Sequence, residues 1–204
     1  MVLLTAVIAG LVVGVLRARG NRDKWQPPVL RYAWLVLVAF LPQLFAFYLP
    51  FTRSHVSDSL AAACLVSSQI GLLLFCWLNR RSAGIPLLAA GLMLNLLAIS
   101  ANGGLMPLGL DTAARFLPAN VLQKLPIGSR LSSSSKDILL PTAAIVFPWF
   151  ADRFVSPAWL QYRFVFSLGD ILVSLGAFWL LGCRSVPIKV SPEKESPHVN
   201  QPIG

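Results

Sequence analysis

Apolar residues fall into five blocks along the chain, over about 1–16, 32–51, 59–78, 83–101 and 164–182, with the polar and charged residues collected between them. A helix rising about 1.5 Å per residue needs roughly 20 apolar residues to cross the ~30 Å hydrocarbon core of a bilayer. The pattern therefore predicts an all-α polytopic membrane protein with about five transmembrane helices, built as a single transmembrane domain over 1–184. A long outer loop, 103–163, separates the fourth block from the fifth. The tail 185–204 is polar and carries Pro187, Pro192, Pro197 and Pro202, so it reads as a disordered cytoplasmic segment.

Polar interruptions give each block its character. The first begins without charge and is followed by Arg17, Arg19, Arg22 and Lys24, the reverse of a secretory signal, so it reads as an uncleaved helix. In the second, Pro42 predicts a kink and Gln43 an interhelical hydrogen bond. The third carries small residues, including Ala61, Ala62, Ser68 and Gly71, suited to close helix contact. In the fourth, Gly91, Asn95, Ala98 and Asn102 share one face, a small polar seam that must meet protein. Gly103 and Gly104 then end the helix and Pro107 prevents its resumption. The fifth opens with Ser167 and Asp170 and continues the stripe through Ser174 and Ala177.

Within the outer loop, Asp111 to Leu122 predicts a short surface helix with Phe116, Leu117 and Val121 turned to lipid. Ile138 to Ala151 is apolar but has only fourteen residues, with Pro141 and Pro148 inside it. That length fits a re-entrant or interfacial segment.

Composition agrees: 56% of residues are hydrophobic, 12% are charged, and mean hydropathy is +0.69, against about 25% charged residues in soluble domains. The net charge of +9 is what cytoplasmic loops of a polytopic protein accumulate, and no basic module with interleaved aromatics points to nucleic acid. Five spans place Arg17, Arg19, Arg22, Lys24, Arg31, Arg80, Arg81, Arg184, Lys189 and Lys194 inside, with the N-terminus outside and the C-terminus inside. A spanning 138–151 would move the tail outside and lower that basic count by one.

Asp170 is the one acidic residue within the five blocks. An intramembrane carboxylate costs about 2.5–3.5 kcal/mol on insertion scales and so faces a cavity or a partner. Ser167 and Asp170 also read as a capping box at a helix start. Because the fourth helix ends and the fifth begins on the same side, the expected outer-face cluster is Asn95, Asn102, Gly103, Gly104, Lys136, Ser167 and Asp170. The three cysteines lack C-x-x-C spacing and His55 and His198 are the two histidines, so neither a metal site nor a cofactor motif is expected. His55 with Asp58 reads as solvated surface.

The segments N-G-G-L-M-P (Asn102 to Pro107), Ser135-Lys136-Asp137 and F-S-L-G-D (Phe166 to Asp170) together make the chain similar to a family of small uncharacterised bacterial integral membrane proteins, a domain of unknown function. The resemblance covers nearly the whole chain before the tail. It implies a bacterial cytoplasmic-membrane protein and no particular activity. The family's second motif reads G-S-K, whereas here Gly128-Ser129 stands apart from Lys136 and Asp137 follows the lysine.

No nucleophile, base and acid stand at a motif spacing, so the leading functional reading is a non-enzymatic accessory or scaffold subunit in the lipid bilayer. It would pack against a membrane-protein partner or form a homo-oligomer. The alternatives are a small-solute transporter or channel using Asp170, and a lipid-directed membrane enzyme.

Overall fold

The computed structural model describes residues 2–20, 25–160 and 163–182. The expected tail 185–204, together with Arg22, Lys24, Arg184, Lys189 and Lys194, lies outside the described residues. In chain order come α1 (Val2–Gly20), α2 (Trp34–Gln43) continuing into a π-helical turn (Leu44–Tyr48), α3 (Pro50–Arg53), α4 (Asp58–Leu78) and α5 (Ile85–Ala101). After α5 follow β1 (Met106–Gly109), α6 (Leu110–Ala114), α7 (Ala119–Leu122), β2 (Asp137–Leu140), β3 (Phe154–Val155), β4 (Val165–Phe166) and α8 (Leu168–Gly182).

Most of the described residues are helical, and α1 and α4 are long and apolar enough to cross a membrane. The α2–π unit, α5 and α8 are shorter apolar helices. Pro42 removes an intrahelical donor, and the helix changes to the wider π turn two residues later. Gln43 Nε2 donates to Ser68 Oγ at 2.7 Å, tying α2 to α4 as expected of an interhelical glutamine. Gly71 faces Ala39 across the same antiparallel pair.

Helices α5 and α8 pack antiparallel, with backbone against backbone where glycines face the partner helix. A Cβ added at Gly91 would lie 2.5 Å from the Gly169 carbonyl, and one at Gly176 would lie 2.5 Å from Leu88 N. Helix α1 lies parallel to α8, where Gly10 meets the Phe178 backbone and Arg17 Nη1 donates to the Gly182 carbonyl at 3.2 Å. Small residues at these contacts allow backbones to approach without a large apolar interface.

Residues 103–160 and 163–166 fold as a cap over one end of the helices, and here the all-α expectation is corrected. Strands β1 and β2 pair in parallel, Met106 opposite Asp137 through Gly109 opposite Leu140. Asp152 joins the same edge by donating its backbone N–H to the Pro107 carbonyl at 3.1 Å. Strands β3 and β4 form a second, antiparallel pair. The segment Ile138–Ala151, expected to be re-entrant or interfacial, is no continuous helix: it supplies most of β2, a 3-10 turn at Thr142–Ala144 and a loop. Pro141 and Pro148 exclude a continuous helix there, and pairing with β1 satisfies the backbone that a helix would have satisfied.

The expected surface helix over 111–122 is likewise two short pieces, α6 and α7, broken before Pro118. Phe116 and Leu117 pack inward on Leu108, Ala113 and Leu139, whereas Val121 is exposed. The cap has its own apolar core under β1 and β2. A second cluster of Phe47, Ala61, Leu65, Ile99 and Met106 joins it to α4 and α5.

Candidate functional site

The three segments singled out in the sequence meet where the cap sits on α5 and α8. Each reaches this place through its own local chemistry.

Helix α5 ends at Asn102, and Gly103 and Gly104 both take φ of +86°, a conformation that costs a side-chain-bearing residue but not glycine. Gly104 N–H then donates to the Ile99 carbonyl at 2.8 Å, and the chain turns into β1. Asn102 does not enter the charged cluster. Its Nδ2 donates to the Val146 carbonyl at 2.8 Å and its Oδ1 accepts from Val146 N–H at 2.9 Å, so its amide clamps the 142–150 loop to the helix end. Gly103 and Gly104 act through the turn, Gly104 lying against Ala62.

At the start of α8, Ser167 and Asp170 form a reciprocal capping box. Asp170 N–H donates to Ser167 Oγ at 3.0 Å, and Ser167 N–H donates to Asp170 Oδ2 at 3.2 Å. This satisfies two amides that a helix start leaves orphaned. Asn95, from the middle of α5, completes the group: Nδ2 donates to Asp170 Oδ1 at 2.9 Å and Oδ1 accepts from Ser167 Oγ at 2.8 Å. Gly169 lets the two helices close around it, because a Cβ there would overlap the Asn95 amide.

Lys136 arrives from the cap at the head of β2, fixed where its carbonyl accepts Met106 N–H at 3.0 Å. Its Nζ lies 3.7 Å from Asp170 Oδ2 and 3.8 Å from Asp152 Oδ2. Next to it, Ser135 Oγ donates to Asp137 Oδ2 at 3.0 Å and accepts from Asp137 N–H at 3.1 Å. The structure thus brings Asn95, Ser167, Asp170 and Lys136 together and adds two residues the sequence reading did not select, Asp137 and Asp152. The pairing of β1 with β2 and the bridge to Asp152 deliver them, and no local periodicity announces a parallel pair whose strands lie about thirty residues apart. The visible signal was a charged residue directly against apolar neighbours, in Asp137-Ile138-Leu139-Leu140 and in Phe150-Ala151-Asp152.

Electrostatics set the protonation of this group. Asp152 is almost wholly buried, and among the described residues neither of its carboxyl oxygens, nor Asp137 Oδ1, has a hydrogen-bond donor. Loss of water pushes the Asp152 carboxyl well above the usual aspartate range. The Lys136 charge opposes the rise, while the charges of Asp137 and Asp170 and a side-chain hydrogen bond with Asp137 add to it. The rise favours the protonated acid, the form able to donate toward Asp137. Partial burial pulls the Lys136 ammonium down, but the charges of Asp152, Asp170 and Asp137 outweigh it and hold its pKa above the ordinary lysine value. The lysine therefore stays charged, and its side chain remains 38% exposed. Elsewhere on the cap, Arg130 Nε donates to Asp58 Oδ1 at 2.6 Å and Nη2 to the Val56 carbonyl at 3.0 Å, which ties the loop that precedes β2 to the start of α4. His55 Nδ1 lies 3.1 Å from the Phe51 carbonyl.

Residues 28–182 match the family model described as Family of unknown function (DUF5317). The chain belongs to that family. The DUF5317 match takes in the whole cap, the α5–α8 pair and every residue of the charged cluster, and leaves out α1. No curated protein and no solved structure matches the chain.

Proposed function

We propose that this member of DUF5317 is an integral protein of the bacterial cytoplasmic membrane with five spans, α1, the α2–π unit, α4, α5 and α8, and that it serves as a non-enzymatic accessory or scaffold subunit. In this arrangement the N-terminus and the cap are outside and the C-terminus is inside. Helices α5 and α8, of 17 and 15 residues, reach only about 26 and 22 Å, so in this arrangement their ends lie at the level of the interface. The exposed Phe147, Trp149 and Trp159 of the cap suit that depth, where aromatic residues collect. Arg17, Arg19, Arg31, Arg80 and Arg81 lie on the side that attracts cytoplasmic lysine and arginine.

One observation carries the scaffold reading: the polar groups between α5 and α8 are bonded to one another. Asn95, Ser167 and Asp170 exchange four hydrogen bonds among themselves, and Lys136 covers the remaining charge from the cap. A network closed in this way fixes the cap on the helices and leaves the outward faces for partners. Gentle purification of the full chain is expected to recover a stoichiometric membrane-protein partner or a homo-oligomer. A clean monomer under those conditions overturns the reading, and mapping of tags at both termini tests the five spans separately.

A second reading, a small-solute transporter or channel using Asp170, is favoured by the accessibility of the ion pair: the Asp170 side chain is 27% exposed and that of Lys136 38%. Asp170→Asn would then abolish flux at normal protein levels. Unchanged flux with unchanged expression rejects it.

A further inference from the structure

At the end of the helices opposite the cap, residues of α4 and α5 line an apolar groove of about 490 Å³. Leu73 and Trp77 form one wall and Pro86, Ala90 and Met93 the other, with Arg80 at the mouth. Trp77, Ala90 and Met93 are exposed, so the groove opens sideways, away from the helix core. Arg80 is the one charged residue in its lining, and its position is held: the guanidinium lies 4.6 Å from the centre of the Trp77 ring and Nη1 donates to the Trp77 carbonyl at 3.3 Å. These contacts leave other guanidinium N–H groups free to donate. Two further arginines stand beside it. Arg81 is next in the chain. Arg31 is brought to the same turn by Asn79, whose Oδ1 accepts Arg31 N–H at 2.7 Å and whose Nδ2 donates to the Arg31 carbonyl at 3.0 Å. Among the described residues no salt bridge involves any of the three.

We infer that this groove is a binding site for an anionic phospholipid of the inner leaflet, an acyl chain lying along Leu73, Ala90 and Met93 and the phosphate at Arg80. The inference rests on the five-span reading above. Charge complementarity selects the ligand: an apolar slot alone accepts any lipid, but uncompensated arginines at its cytoplasmic mouth favour a phosphate without a balancing cation. Arg80 suits this better than a lysine would, because its planar fork reaches two phosphate oxygens while stacked on an aromatic ring.

The test uses the full chain extracted in mild detergent, with palmitoyl-oleoyl phosphatidylglycerol or the matching phosphatidylcholine added at equal concentration and bound lipid counted by native mass spectrometry. Phosphatidylglycerol is expected to be retained in preference. Arg80→Gln should lower its retention about fivefold, the effect of one arginine near a headgroup, and leave phosphatidylcholine unchanged. Ala90→Trp, which fills the groove from an exposed position, should displace both lipids. Elution and helicity identical to the unmodified chain certify that each variant is folded. Equal retention of the two lipids, or an Arg80→Gln variant that binds phosphatidylglycerol normally, overturns the site, as does displacement of the lipid by inorganic phosphate alone. Carbonate extraction of membranes is read in parallel. A chain released by carbonate overturns the five-span reading itself, whereas an embedded chain without lipid preference overturns only the lipid site.

Discussion

The two ends of the α5–α8 pair hold the same helices together by different means. Away from the cap, Gly84 and Gly176 bring backbone against backbone, Leu180 N and Leu88 N lying close to where their Cβ atoms would be. No side-chain polar group takes part. At the cap end Gly91 and Gly169 repeat the close approach, but there they enclose Asn95, Ser167 and Asp170, whose oxygens and amide are paired with one another. The first kind of contact depends on shape alone and resists changes of pH or salt. The second depends on every member of the network being present, because an unpaired buried polar group loses its hydration with nothing in return. The cap is built over the second kind, so its attachment is the part of the molecule that conditions can alter.

Steric substitutions test the shared element and have the largest expected effect. Gly169→Val places a branched side chain onto the Asn95 amide and the Gly91 carbonyl, 2.7 Å from its Cβ. It should destabilise the helix pair by about 3 kcal/mol or more, read as an earlier loss of helicity on titration with a denaturing detergent. Gly176→Val should cost a similar amount at the other end, where its Cβ would lie 2.7 Å from the Gly84 carbonyl. The two differ in reach. Hydrogen exchange at the β1–β2 amides should accelerate in Gly169→Val and stay near normal in Gly176→Val. Equal acceleration in both would mean that the ends are not separable.

Next in size comes Lys136→Met, which removes the cation shared by Asp170 and Asp152. Breaking a fully buried pair costs about 3–5 kcal/mol, but the lysine is 38% exposed and water screens part of its charge, so about 1–2 kcal/mol is expected. The loss should appear as faster exchange at the β1–β2 amides with α1 unaffected, and Lys136→Arg should restore part of it. Asn95→Leu is smaller again. It keeps the branched shape, with methyls somewhat bulkier than the amide, but leaves Ser167 Oγ and Asp170 Oδ1 without their partner, at about 1 kcal/mol, and its signature is a loosened α5–α8 contact with the cap's own strands intact.

Which half of this comparison could be read from the sequence follows from the range of the interactions. The helices announce themselves through apolar length, and the seam Gly91, Asn95, Ala98 follows from helical spacing because i, i+4 and i+7 share a face. The Ser167–Asp170 capping box is local as well. Asn102 misleads for the same reason: helical spacing places it on the seam, but it caps the helix one residue past its end and its amide turns to Val146. The cap is invisible by these rules. Strand β1 is Met-Pro-Leu-Gly, which contains a proline and a glycine and shows no alternation, and it is a strand because Asp137 to Leu140 lies beside it. Pairing at that separation leaves no local pattern, so Asp152 could be placed in the charged cluster only once the fold was known.

Asp152 also gives the smallest change and the one most specific to the cap. Its carboxyl pKa is raised above the ordinary value of 3.8 by burial first, so the folded protein holds the proton more tightly than the unfolded chain. The contribution to stability is then complete below pH 3.8 and is lost as the pH rises through the raised value, because the buried group must ionise or the cap must open. Lys136 runs on a separate window. Its pKa is also raised, so its contribution is complete below the ordinary lysine value, and its ion pair with Asp170 is intact at neutral pH. Asp152→Asn keeps the shape and presents an amide donor to Asp137 where the protonated acid presented a hydroxyl, but it cannot ionise. Exchange at the β1–β2 amides, corrected for the intrinsic rate, should therefore match the unmodified chain at about pH 4 and become progressively slower than it as pH rises. If the two profiles stay parallel across that range, Asp152 does not hold a proton in the folded cap, and Lys136 alone neutralises the buried carboxyl.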